Sequence, residues 1–437
     1  MTKDPRLLEL AAGGTGNSDS RPISPRKLSD TGLDDQLLVE LLSKVLYLRG
    51  SMALVDVAQH VRLPASVVDE LFGFMRAERL VELLRRGDSA ADADYGLTES
   101  GRARAGDYLR KNRYAGPAPV SMSAYARQVR SQSVGEMTVT EADVEQVYRG
   151  MVVAKELRDT MGAAMNSGRP MFFYGPAGSG KTFLAETLVG LLNGTVYVPY
   201  AFVADGEIVQ VFDPAIHRSA PAHEVDEGLD SRARTDARWM ACYRPVAVTG
   251  GELTLEMLNL QFDNVAGFYQ APVHVKANNG LFIIDDLGRQ LVQPEQLMNR
   301  WIVPMDRRRD YLCLHTGSSF EIPFDVKLVF STNLDPRKLA DEAFLRRLGY
   351  KMYIGPITDE QYEQLFKDVC VEYGIAFDAP AFSFLINLHR HLGRPTFACY
   401  PRDLVSHVRD YVTYRDLPHR LTPQLIEWAW HSYFATN

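Results

Sequence analysis

Apolar and polar positions change period several times along the chain. Residues 1–33 mix Gly, Ser, Asp and Pro with little to bury, and read as a disordered tail. Leu37, Leu38, Leu41, Leu42, Val45 and Leu46 then recur at helical spacing, and a second short helix covers Leu54–His60. Pro64 stands where a third helix begins, and Ser66–Arg79 carries Val67, Val68, Leu71, Phe72 and Met75 on one stripe. Leu80–Leu84 and Tyr95–Thr98 read as strands joined by a polar loop, Arg85–Asp94. Ala115–Ser133, with Gly116-Pro-Ala-Pro119, reads as a linker that ends in an amphipathic stretch around Tyr125–Val129. Thr140 and Asp143 have the spacing of a capping box, predicting a helix through about Leu157 and a further helix to Asn166.

From Met171 onward the pattern is that of an α/β domain. Met171–Tyr174 predicts a short buried strand, followed by Gly175-Pro176-Ala177-Gly178-Ser179-Gly180-Lys181-Thr182 and a helical run through Phe183 to about Leu192. Thr195–Val198 is β-branched and predicts the second strand. Residues 205–245 are polar and acidic, with Asp226, Glu227, Asp230 and Asp236, and read as a surface insertion. After the apolar Val246–Val248, an aromatic hairpin holds Phe262, Phe268 and Tyr269, suited either to packing or to lining a pore or gripping a partner. Ala271–Lys276 alternates as a strand does. Leu281–Ile284 predicts a strand buried on both faces and ending in Asp285-Asp286; Val326–Phe330 predicts another, ending in Ser331-Thr332-Asn333. Ala343–Leu348 places Arg346 and Arg347 side by side. Residues 358–434 read as four helices: Thr358 and Gln361 cap the first, Pro380–His391 and Pro401–Arg415 follow, and Thr422-Pro423 opens the last.

The stretch from Gly175 to Thr182 fits the spacing G-x-x-x-x-G-K-[ST], between a strand and a helix, which is the context of a phosphate-binding loop. Glycines let the backbone approach a polyphosphate with no Cβ in the way, and the N–H groups so turned make an anion cradle at a helix start. Residues 175–183 are therefore the candidate polyphosphate site: Lys181 would bridge the β- and γ-phosphates, and Thr182 would hold Mg²⁺. Ligands in α/β sheets bind at the carboxyl ends of strands, where Asp285 is placed to reach Mg²⁺ and Asp286 to orient or deprotonate a water. Asn333 is placed to donate to the γ-phosphate or the attacking water. Arg346 or Arg347 would reach a nucleotide on a neighbouring subunit, and Arg402 would contact phosphates from the helical side.

Composition narrows the remaining classes. The 437 residues suggest two to four domains, and 46% hydrophobic with 24% charged residues is ordinary for a globular chain. A net charge of −7 gives no global reason to expect nucleic acid. Cysteines 242, 313, 370 and 399 form no C-x-x-C pair, which argues against a disulfide framework or zinc cluster and fits a reducing cytosol. No apolar run approaches the ~18–20 residues that span a bilayer, and no signal-peptide core is present, so a soluble cytoplasmic protein without membrane insertion is expected. His389 and His391 are two apart and would not share a helix face, and no G-x-S-x-G elbow occurs.

Two resemblances follow. Three helices and a two-stranded wing in residues 34–115 resemble a winged helix-turn-helix, with Tyr95–Arg102 similar to a wing-to-helix joint. Between Ala65 and Arg79, however, two basic residues (Arg76, Arg79) meet three acidic ones (Asp69, Glu70, Glu78), which favours protein contact over DNA. Arg85, Arg86, Arg102, Arg104, Arg110, Lys111 and Arg113 remain available to a DNA backbone. Over residues 138–434, the order phosphate loop, Ile-Ile-Asp-Asp, Ser-Thr-Asn, Leu-Arg-Arg, Pro-Arg-Asp resembles the AAA+ ATPases, nearest their MoxR-like branch. The resemblance implies a P-loop αβα core with a parallel sheet (138–356), a helical lid (357–437), and ATP bound between subunits of a homo-oligomeric ring, usually a hexamer, that remodels a protein client. It implies Lys181 and Thr182 as Walker A, Asp285 and Asp286 as Walker B, and Asn333 as sensor 1. Arg346 or Arg347 would then be the arginine finger, and Arg402 sensor 2. The family usually has Glu where this chain has Asp286, so the carboxylate is set back by about one C–C bond, ~1.5 Å. Three functions are therefore carried forward: a remodelling ATPase, a nucleotide-switched DNA-binding regulator, and an ATP-holding scaffold with little turnover.

Overall fold

A computed structural model describes residues 20–85, 92–221, 235–339 and 342–434. The chain divides into two compact units: one runs through Met137 and resumes over Leu192–Phe282 and Gln290–Leu328; the other takes Thr138–Leu191, Ile283–Arg289 and Val329 onward.

In the first unit, α1 (Asp35–Arg49) starts at Asp34, whose side chain accepts from the Gln36 amide, and stops at Gly50 with φ 83°. Its apolar stripe packs with α2 (Leu54–Val61) and α3 (Ala65–Ala77) around Leu42, Val57, Val68 and Phe72. The expected two-stranded wing is a three-stranded sheet. β1 (Met52–Ala53) and β2 (Val81–Arg85) both pair antiparallel with β3 (Asp94–Leu97), and α4 (Glu99–Lys111) follows from a Thr98 cap. The wing tip, with Arg86, lies outside the described residues.

This core does not end at residue 115. Tyr114 and Ala118 are buried with Ala201 and Ile208 in the same apolar cluster. The expected linker contributes β4 (Val120–Ser121), which pairs in parallel with β7 (Ala201–Ala204), and then α5 (Met122–Ser131). β7 pairs with β8 (Glu207–Gln210), so residues 34–115, the linker and part of the insertion share one unit. Residues 1–19 of the expected tail lie outside the described residues. Residues 20–33 are ordered: Leu28 and Thr31 are buried in a short 3₁₀ turn, and Gln128 donates to the Ser20 carbonyl.

Other expectations are met, decided or changed. β6 (Thr195–Pro199) is a strand as expected, and it pairs antiparallel with β9 (Trp239–Tyr243). Asp236, read as a surface acid, is buried against Arg238, two residues on, at 2.8 Å; Asp226, Glu227 and Asp230 lie outside the described residues. The hairpin of β11 (Gln261–Asp263) and β12 (Phe268–Gln270) turns its aromatics inward. Phe262 stacks on His315, Phe268 meets Tyr114 edge-on, and Tyr269 is buried with its hydroxyl on His315. The alternation at Ala271–Lys276 is broken by Pro272, from which α9 (Val273–Lys276) starts.

In the second unit, α6 (Glu141–Val147) has the expected Thr140/Asp143 capping box but stops at Tyr148, and α7 (Lys155–Asn166) is a separate helix; Gly150 at φ 77° lies between them. β5 (Met171–Tyr174) is paired in parallel on both sides, with β16 (Val326–Thr332) and β17 (Tyr350–Tyr353). Within this unit the end of β13 (Gly280–Ile284) lies beside the end of β16, which is followed by β5 and β17. The C-terminal helices are α13 (Asp359–Tyr373), α14 (Ala379–His391), α15 (Tyr400–Tyr414) and α16 (Pro423–Phe434), packed around Tyr362, Leu385, Val408 and Ile426. Thr358 and Gln361 form the expected capping box, and Gly374 at φ 67° ends α13. Among the described residues no helix is long and apolar enough to cross a membrane.

His217 carries a pH dependence in the first unit. Its Nδ1 accepts from the Asp213 amide at 2.9 Å and its Nε2 lies 2.8 Å from the Lys276 carbonyl, which fixes the neutral Nε2–H tautomer. Burial pulls its pKa from 6.5 to about 4, against the pull of the Lys276 carbonyl and Asp213. Below pH 6.5 the unfolded chain takes the proton and the folded chain does not until about pH 4, so stability falls as pH falls through that window. The expected loss is ~3 kcal/mol at most. Urea melts from pH 7.5 to 4.5 should show a shallower acid slope for His217→Gln than for the parent; equal slopes would refute the assignment.

Candidate functional site

The parallel register sets the site. Tyr174 is opposite both Thr332 and Tyr353, so the residues that follow, Gly175, Asn333 and Ile354, leave the sheet at one level. Behind β5, the loop from Gly175 to Gly180 turns through backbone angles suited to glycine, with φ 148° at Gly175 and 79° at Gly178. A Cβ on Gly175 would stand 2.0 Å from the Ile354 carbonyl oxygen, and one on Gly178 would stand 2.5 Å from Cys399 Sγ. The Cys399 amide donates to the Gly178 carbonyl at 3.2 Å, and the Ile354 amide donates to the Tyr174 carbonyl at 2.8 Å. The loop is thus held from one side by the end of β17 and from another by the start of α15.

α8 (Lys181–Thr187) begins directly at Gly180 and runs into a 3₁₀ turn over Leu188–Leu191. The buried Lys181 ammonium donates back to the loop, to the Gly175 carbonyl at 3.0 Å and the Pro176 carbonyl at 2.7 Å. Burial pulls its pKa below the ordinary value; Asp285 and Asp286 pull the other way. The Thr182 hydroxyl donates to Asp285 Oδ2 at 2.6 Å across 103 residues of sequence. Ala177 and Phe183 are exposed beside the loop, while Ser179 is buried.

Asp285 and Asp286 leave the end of β13. Asp285 Oδ1 accepts from the Asp286 amide at 2.9 Å, and Asp286 adopts φ 49°. That turn brings Asp286 Oδ1 within 2.8 Å of Asn333 Nδ2, which donates to it. The structure therefore brings Lys181, Thr182, Asp285, Asp286 and Asn333 together at this edge. Chemically, the set offers an anion cradle with an ammonium at its edge, a hydroxyl–carboxylate pair suited to a hard divalent cation, and a carboxylate held in place by an amide.

The arginines stand elsewhere. Arg402, in the first turn of α15, pairs with Glu372 at 2.9 Å and lies over the Tyr373 ring, which turns it toward the end of α13 instead of the loop. Arg346 and Arg347 close a short helix, α12 (Glu342–Arg347), where the Arg346 side chain is 80% exposed and 3.8 Å from Glu342. Ile354 and Cys399 were not singled out from sequence, because each touches the loop through backbone or packing that no residue-type pattern encodes.

A family model described as a domain of unknown function (DUF8689) matches residues 358–432, the four C-terminal helices. No curated protein matches the sequence. Among solved structures, NtrX from Brucella abortus is 12% identical, with 69% of this chain and 59% of NtrX covered at a TM-score of 0.42. A mutant of RuvB from Thermotoga maritima is 12% identical, with 70% and 74% covered at 0.36. The T. maritima RuvB Holliday junction branch migration motor is 14% identical, with 70% and 72% covered at 0.36. The chain spans less than two thirds of NtrX, and at these TM-scores none of these likenesses bears on chemistry.

The close seat of Gly175 generates a stability prediction. Gly175→Ala should cost at least ~2 kcal/mol, because both the positive φ and the Ile354 carbonyl oppose a Cβ. Gly106→Ala, inside α4 with nothing within 4 Å of the added Cβ, should instead stabilise by roughly 0.4–1 kcal/mol. Thermal melts compare the two; an unchanged midpoint for Gly175→Ala would contradict the packing described.

Proposed function

We propose that the protein is a Mg²⁺-dependent ATPase of the AAA+ type. The observation that carries this reading is the Thr182–Asp285 hydrogen bond, which joins the phosphate-loop motif to the acidic strand end. The residues fit the ligand: the loop amides and Lys181 would hold the β- and γ-phosphates, and Thr182 and Asp285 would hold Mg²⁺. Bound there, Mg²⁺ supplies neutralisation of the charge that develops on the phosphates. Asp286 would accept a proton from the attacking water, and Asn333, already hydrogen-bonded to it, keeps that carboxylate aimed. The Lys181 ammonium would exchange two neutral carbonyl partners for charged phosphate oxygens, a stronger hydrogen bond.

The MoxR-like assignment, the homo-oligomeric ring, Arg346 or Arg347 acting in a neighbouring subunit, and the protein client all belong to this same reading. Arg402 would join the phosphates only after leaving Glu372. The N-terminal helices, read as a winged helix, fit protein contact better than DNA. The Leu28 amide donates to Glu70 at 2.9 Å and Ser66 donates to the Arg26 carbonyl, so the chain's own residues already engage the outer face of α3.

Purified protein should bind Mg·ATP and release phosphate. Lys181→Ala should weaken binding about 10- to 100-fold through loss of a charge-assisted hydrogen bond. Asp286→Asn should keep binding and lower kcat ~10²–10⁴-fold. No Mg·ATP binding at millimolar concentration would end the proposal. Binding without turnover would leave a scaffold, and tight duplex binding that collapses between low and physiological salt would favour the DNA-binding regulator.

A further inference from the structure

We propose that Thr332 is a positioning residue for ATP hydrolysis, fixing the distance between the Asp286 carboxylate and the Asn333 amide. The inference rests on the ATPase reading above and deepens it.

Two turns must meet at this point. One leaves β13 through Asp285, Asp286 and Leu287; the other leaves β16 through Thr332, Asn333 and Leu334. The Leu287 amide donates to the Ser331 carbonyl at 2.8 Å, so the acidic turn is pinned to β16 just before its end. Thr332 is fully buried. Its hydroxyl donates to the Leu287 carbonyl at 2.7 Å and accepts from the Leu334 amide at 3.1 Å. One side-chain oxygen thus ties the residue after Asp286 to the residue after Asn333.

The left-handed conformation of Asp286, φ 49°, makes such a tie necessary. A non-glycine residue in that region persists only where its surroundings hold it. The peptides on both sides of Asp286 are held: its amide by Asp285 Oδ1, and the Leu287 group by Ser331 and Thr332. Removing the hydroxyl leaves a buried carbonyl and an amide without their partner, and the two turns can then move apart. Small displacements of a catalytic group are expensive in rate and nearly silent in ligand affinity. The hydrogen bonds of the Thr332 hydroxyl go to Leu287 and Leu334 and not to the phosphate loop or Thr182.

Thr332→Val keeps the β-branched shape and removes the hydrogen bonds; Thr332→Ser keeps the hydroxyl. Thr332→Val should lower kcat about 10- to 100-fold with Kd for Mg·ATP changed less than about threefold, and Thr332→Ser should restore kcat to within about threefold of the parent. In an Asn333→Ala background, Thr332→Val should change kcat less than about twofold, because the Asp286–Asn333 contact it sets is already gone. Parental kcat in Thr332→Val overturns the proposal, as does a fall in which Thr332→Ser is equally impaired, or losses that add fully in the double variant. A lower thermal midpoint with kcat retained also overturns it, since that outcome marks a structural hydroxyl only. A parent with no turnover overturns the ATPase reading, and this proposal with it; a parent that turns over while Thr332→Val matches it overturns this proposal alone.

Discussion

The placement of β5 between two parallel partners is the constraint on which the rest of the site depends. With Tyr174 opposite Thr332 on one side and Tyr353 on the other, three strands finish together. Whatever follows them must share a small volume at the sheet's carboxyl edge, which is where α/β sheets form their ligand crevices. A shift of one residue in either pairing would move each side chain of β5 to the opposite face of the sheet, and a shift against β17 would separate Gly175 from Ile354. Met171, Phe172 and Phe173 are all fully buried, and that burial penalises such a slip.

Given that edge, the polar groups settle into a graded arrangement. Lys181 is the costly member: a buried ammonium whose pKa burial lowers, satisfied by two carbonyls of its own loop. Thr182 and Asp285 satisfy each other at the exposed rim, where solvent limits the cost of a bare carboxylate. Asp286 and Asn333 form a second pair slightly removed from the loop. Each donor in this set already has an acceptor, so a ligand has to replace existing hydrogen bonds. On the proposed reading that favours polyanions, which return more for each exchanged bond than a neutral molecule does.

What could be read from sequence was whatever local chemistry specifies. The loop spacing, the Asp-Asp and Ser-Thr-Asn strand ends and the capping boxes at Thr140 and Thr358 depend on neighbours within a few residues, and the corresponding elements are found where the pattern placed them. Partner choice is not local. Thr195–Val198 has the composition of a core strand, yet it pairs with Trp239–Tyr243, because β propensity says nothing about which strand lies alongside. Asp236 has its partner two residues away, but the burial of the pair is set from afar, by the Thr31 and Pro119 carbonyls that accept from Arg238. Arg402 occupies the first turn of α15 as expected, but its long side chain can swing to Glu372, a choice made by a residue thirty positions away. Residues 34–115 read as separate because their own helices account for most of their apolar stripes. Contacts far along the sequence join them to the following sheet: Tyr114 packs with Ala201, Ile208 and Phe268, and the Arg113 amide donates to the Ala266 carbonyl.

The aspartate at 286 has a local explanation that the family comparison alone conceals. Seen as a departure from Glu, it withdraws the carboxylate by ~1.5 Å. Seen in place, it occupies a left-handed turn, a conformation that Asp and Asn adopt far more readily than longer side chains because a short polar group can bond to nearby backbone. The same turn brings the carboxylate to Asn333 at 2.8 Å. That turn is joined to β16 through the next residue: the Leu287 amide donates to the Ser331 carbonyl, and the Thr332 hydroxyl donates to the Leu287 carbonyl. The substitution then belongs with the conformation of residues 285–288 and the Thr332 hydroxyl that holds it, and side-chain length taken alone is a poor guide to whether Asp286 can serve as a base.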